Sequence, residues 1–136
     1  MRKTLAVVIT AAAAVSLFTA PLQAHHSFAA EFDADKPVKL RGTVVKMEWI
    51  NPHAWLQMDV KGDDGKVIRW MIEAAAPNAL LRRGWNKNSL LAGAEINVEG
   101  YQAKDGSTRA NGNIISFTDG RKLFVGSSRP GEGPPR

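Results

Sequence analysis

The sequence predicts an all-β protein: a small five-stranded OB-like barrel with one short helix between strands 3 and 4. Three observations carry that prediction. Apolar and polar residues alternate in short runs, as half-buried strands require. Turns rich in Gly and Asp separate those runs. The order is three strands, a short helix and two more strands, which is that of a five-stranded OB-type barrel.

The 136-residue chain opens with Arg2 and Lys3, then an apolar, alanine-rich run from Leu5 to Phe18. Pro21, Leu22, Gln23 and Ala24 form a more polar cleavage region, so residues 1–24 read as a signal peptide cut after Ala24. The run falls short of the ~20 residues a membrane span needs, so no stable membrane anchor is expected after cleavage. What remains suffices for one domain with one core. The signal holds two of the 18 basic residues and none of the 13 acidic ones, leaving a mature charge of +3. That balance is too mild to call for nucleic acid. Cysteine is absent, which excludes disulfides, thiolate metal sites and cysteine nucleophiles. The expected location is the bacterial periplasm, or another exported one.

Residues 25–37 read as an extended N-terminal arm without a clean period, ending on Pro37. Residues 38–125 are the predicted barrel domain. Val38, Leu40 and Val44 share one parity, whereas Val45, Met47 and Trp49 share the other. That switch predicts a bulge between Gly42 and Val45 in a long, bent first strand. Asn51-Pro52 turns the chain. Ala54, Leu56, Met58 and Val60 alternate with Trp55, Gln57 and Asp59 as the second strand. Gly62-Asp63-Asp64-Gly65 is a hairpin turn, and Val67 to Ala74 returns as the third strand. A short helix opens at Pro77-Asn78, with Asn78 the candidate cap, and runs through Leu80, Leu81 and Trp85. Glu95 to Tyr101 and Asn113 to Thr118 are the fourth and fifth strands, followed by a short Leu123-Phe124-Val125. Residues 126–136 (GSSRPGEGPPR) form a Pro/Gly-rich tail expected to be disordered.

The chemistry rests on three histidines. A cut after Ala24 makes His25 the first residue, placing a free amine, its own imidazole and the ring of His26 together. His53, in Asn51-Pro52-His53, is the remaining histidine. Copper(II) favours neutral nitrogen donors, and the terminal amine is the least basic amine of a chain. An N-terminal histidine chelates through its amine and ring, and an opposing imidazole completes a three-nitrogen site. The candidate metal ligands are therefore His25, His26 and His53, with copper the expected ion; plain histidines of a flexible start and a turn are the alternative. Glu73 and Glu48 are candidate acceptors that orient a histidine ring. Trp49, Trp55 and Trp70 are candidate partner-binding residues, because aromatic faces stack sugars or apolar groups; core packing is the competing reading. No nucleophile elbow and no acid–base constellation is present, so catalysis is not expected.

The run His25-His26-Ser27-Phe28, the strand Gly42-Thr43-Val44, Trp49-Ile50-Asn51-Pro52-His53 and the later Gly100-Tyr101 resemble a family of small exported bacterial proteins of unknown function. The resemblance spans most of the mature chain. It implies an exported single domain and marks His25, His26 and His53, and it implies no activity. Two readings follow from the residues. The first is an exported metal-binding accessory or carrier, with copper as cofactor and the metal ion as its partner. The second is a metal-free OB-like module that binds a protein or saccharide partner in the envelope.

Overall fold

A computed structural model describes residues 28–126. The chain divides into two compact units, Met1–Glu31 and Phe32–Arg136. In the first, residues 28–31 are described and are helical. The second carries the sheet. Its elements are β1 (Phe32–Glu48), β2 (Trp55–Lys61), β3 (Val67–Glu73), α1 (Pro77–Arg82), β4 (Glu95–Ala103), β5 (Arg109–Phe117) and β6 (Lys122–Phe124).

Strand β1 organises this unit. Its 17 residues serve two neighbours: Pro37 to Thr43 pair with β4, and Gly42 to Glu48 pair with β2, both antiparallel. The predicted bulge is present, as a register shift between Val44 and Lys46. One extra residue there bends the strand and increases its twist, which suits it to two partners. Gly42 pairs with Val60 on one side and Ile96 on the other. A Cβ at this position would run into the backbone carbonyl of Asp59, so the close approach of β2 requires glycine. Strand β1 also starts at Phe32, ahead of the Val38 expected from alternation, and Phe32 lies opposite Ala103 of β4. Phe32 is 2% exposed, so its burial holds the start of the strand despite the uneven pattern from Asp33 to Pro37.

The six strands form one sheet in the order β3-β2-β1-β4-β5-β6, and β3 also pairs with β5. That last pairing is parallel and covers Met71 to Glu73 against Arg109 to Asn111. The expected five-stranded OB-like barrel is thereby corrected. The strands make a six-stranded ring-like sheet in which β6 extends beyond the closing pair, and β3 and β5 meet over one short stretch. The sequence misled at Leu123-Phe124-Val125: the Asp119-Gly120 turn brings Lys122 to Phe124 back onto Ile114 to Ser116 as a full sixth strand.

Leu56, Met58, Ile72, Ile96, Val98 and Ile115 fill the core from alternate strand positions, each at most 1% exposed. Helix α1 and the loop after it close one side, with Leu80 and Trp85 inserted into the same core. The indole Nε1 of Trp85 donates to the Phe124 carbonyl at 3.2 Å, tying that loop to β6. Burying two side chains of this size favours the fold by roughly 1.5–3 kcal/mol each. Asn78 is not the helix cap. Ala76 holds that position, no side chain caps the helix, and Pro77 occupies the first turn, where its missing N–H costs nothing.

Candidate functional site

The registers place Glu48, Trp55, Glu73, Asn111 and Tyr101 in one row across β1, β2, β3, β5 and β4. Paired strand residues share a face, and the row alternates with Leu56, Ile72 and Ala110, all fully buried in the core. The row therefore lies on the face turned away from the core. Polar side chains there are ordinarily solvated. Glu73 and Asn111 depart from that rule, at 9% and 5% exposure.

Their geometry explains how a carboxylate is tolerated there. The Asn111 amide Nδ2 donates to Glu73 Oε1 at 3.3 Å. The imidazole of His53 approaches the same oxygen, with Nδ1 at 3.6 Å, and its Nδ1 lies 3.2 Å from the Ala74 carbonyl oxygen. A carbonyl only accepts, so Nδ1 carries the hydrogen in the neutral ring. The lone pair is then on Nε2, the opposite side of a ring whose side chain is 30% exposed. Backbone bonds clip this segment to the end of β3, with Ala54 N donating to the Ala75 carbonyl and Ala74 N to the Ala54 carbonyl. Asn51-Pro52, just before His53, is a cis peptide.

Around this core of the site the same face continues as a polar network. The Arg109 guanidinium stands 5.5 Å from the centre of the Trp55 ring. Glu48 accepts from Lys46 Nζ at 2.8 Å and from Gln57 Nε2 at 3.1 Å. Those hydrogen bonds hold its carboxyl below the usual carboxylate range. Next to it, Arg69 grips Asp59 with two nitrogens and lowers its carboxyl in the same way. The arrangement sets a part-exposed imidazole against a buried carboxyl group, beside an aromatic ring.

The sequence candidates fall into different places. His25 and His26 lie outside the described residues. His53 sits at the site, and Glu73, one of the two carboxylates weighed as orienting a histidine ring, stands beside it. Trp55 is in the outward row, whereas Trp49 and Trp70 pack against the core, so the three do not form one face. Among the described residues no group of three His, Cys, Asp or Glu side chains comes together that could hold a metal ion. The reading as a copper carrier is corrected on that finding. The OB-like module reading goes with the barrel on which it was built. No helix among the described residues is long and apolar enough to cross a membrane.

A family match covers residues 12–112, most of the chain. The chain belongs to the family of unknown function DUF6152. No curated protein and no solved structure matches this DUF6152 chain. In this DUF6152 protein, Asn111 and Arg109 were the residues missed by sequence reasoning. The fifth strand is expected to begin at Asn113, whereas β5 begins at Arg109. The available signal was parity: Glu73 stands at the outward phase of a strand whose Ile72 is apolar.

Proposed function

We propose that this is an exported, non-catalytic binding protein whose ligand is a small organic cation, an amine, held at the His53–Glu73–Asn111 site. The observation that carries this reading is a buried carboxylate on the outward face of the sheet. A buried carboxyl group is retained where it is hydrogen-bonded, and an ammonium N–H would add a charge-assisted bond to that set. His53 Nε2 supplies an accessible acceptor for an N–H donor. Trp55 adds an aromatic face of the kind that attracts cations, which Arg109 already occupies on one side. Export rests on the charged start, apolar run and cleavage region of residues 1–24. The absence of a nucleophile elbow or acid–base constellation from the sequence supports a binding role.

Calorimetric titration with ethylamine tests the site, with ethanol as the uncharged control. Binding of ethylamine, none of ethanol, and loss in Glu73→Gln at an unchanged urea midpoint are the expected results. Equal binding of both probes, or an unaffected Glu73→Gln, overturns the reading. Export is tested separately, by fractionating cells that express the full chain: the mature form in the periplasm is expected, and full-length protein in the cytoplasm overturns it.

A further inference from the structure

Strand β3 has an open edge that is self-complementary, and we infer that it pairs with β3 of a second copy of this chain. Met71 N donates to the Thr108 carbonyl, so at this phase of β3 the backbone points toward β5. Backbone groups alternate sides along a strand, and Val67 and Arg69 share that phase. Pairing with β5 begins only at Met71. The N–H and C=O of Val67 and Arg69 therefore face outward beyond the end of β5, with no strand pairing to them among the described residues. The side chains there are unusual as well. Val67 is 61% and Ile68 46% exposed, two of the few large apolar residues on the surface. An open edge carrying apolar side chains is a template for another strand.

A second copy fits because one register uses all the open groups. In an antiparallel two-fold pair, Val67 of one copy stands opposite Arg69 of the other, and the reverse, with Ile68 facing Ile68 across the axis. Every open N–H and C=O of both residues then finds a partner. Shifting the register to place Arg69 opposite Arg69 sets Val67 against Met71, whose outward N–H is already given to Thr108. Charge favours the first register. Arg69 is neutralised by Asp59 of its own chain through two hydrogen bonds. The chain before Val67 then carries the Asp63-Asp64 hairpin tip of each copy toward the Arg109 end of β5 in the other, pairing acidic with basic residues. The symmetry is isologous and closes, so the pairing stops at a dimer.

Sedimentation equilibrium on the purified protein over a wide concentration range tests this. The weight-average mass is expected to rise from one chain toward two, and no further. Val67→Pro removes an N–H that has no backbone partner among the described residues, at the first residue of a strand, where proline is tolerated. It is expected to weaken association about tenfold or more, since each dimer loses two hydrogen bonds. Ile68→Lys, which sets like charges across the axis, is expected to abolish association; both variants should keep the wild-type circular dichroism spectrum. A mass that stays at one chain at every concentration overturns the inference. So does a dimer that Val67→Pro and Ile68→Lys, both folded, leave unchanged.

Discussion

Two outward-facing regions of the same sheet carry similar residue types and treat them in opposite ways. On β1, β4 and β5, a shallow groove is lined by Lys39, Arg41, Asn97, Glu99 and Ser116. Lys39 and Glu99 stand opposite each other in register, yet form no ion pair among the described residues, and Arg41 reaches Glu95 only at 3.9 Å. Exposed charged groups of this kind are ordinarily satisfied by water, and ion pairs among them contribute little. Around the β3–β5 junction, Glu73 is buried and shares one oxygen with Asn111 and the edge of His53. The difference teaches where to look for a site. Charge at outward positions is ordinary, and charge withdrawn from water at an outward position demands specific partners.

The largest test of that contrast is Asn111→Leu. It removes the amide from a buried carboxylate without changing volume much, and a stability loss of about 3 kcal/mol is expected from the urea midpoint. A loss under 0.5 kcal/mol would mean that Glu73 is solvated like Glu99, and the contrast would vanish. Arg109→Ala comes next. It removes the guanidinium from the Trp55 ring and is expected to cost about 1 kcal/mol, read in the same way, with a change in tryptophan fluorescence.

Acid should act through the exposed pairs. Asp59 is lowered by its hydrogen bonds from Arg69, and Asp119 by the backbone N–H and then the side chain of Arg121. A carboxyl depressed in the fold adds stability that is fully present above its unfolded value and is lost as pH falls through the lower folded value. Stability is therefore expected to decline below about pH 4, the ordinary Asp value. Arg69→Met should flatten that decline, because the variant lacks the Asp59 contribution above pH 5 and has less to lose in acid. A steeper decline in the variant would assign the acid sensitivity elsewhere. The smallest effects belong to the groove: Lys39→Ala and Glu99→Ala should each stay within about 0.5 kcal/mol of the parent.

Much of the fold was readable residue by residue. The parity switch around Val44 located the bulge, Gly62 to Gly65 gave the hairpin, and the apolar phases of Leu56, Met58 and Ile72 named core residues. The strand ends were less readable. Arg109 to Gly112 lacks apolar alternation, and it becomes a strand because β3 and β4 both pair with it. Lys122 to Phe124 counts as a sixth strand only through its pairing with β5. The N-terminal histidines fall outside the described residues, and the metal reading drawn from them found no cluster among those that are described.

The sequence by itself determined the order of the first five strands and the helix, the faces of the strands, the turn glycines and the placement of His53 after an Asn-Pro turn. These are local properties, set by side-chain period and backbone preference. The tertiary structure alone decided that Glu73 meets Asn111, 38 residues away, and that both are largely withdrawn from water. It also decided that β5 pairs with β3 only from Met71 onward, leaving the edge before it without a strand partner among the described residues. The reason is that parallel pairing between β3 and β5 is non-local: its register is fixed by how the whole sheet closes, and no pattern in either strand encodes where the other will begin.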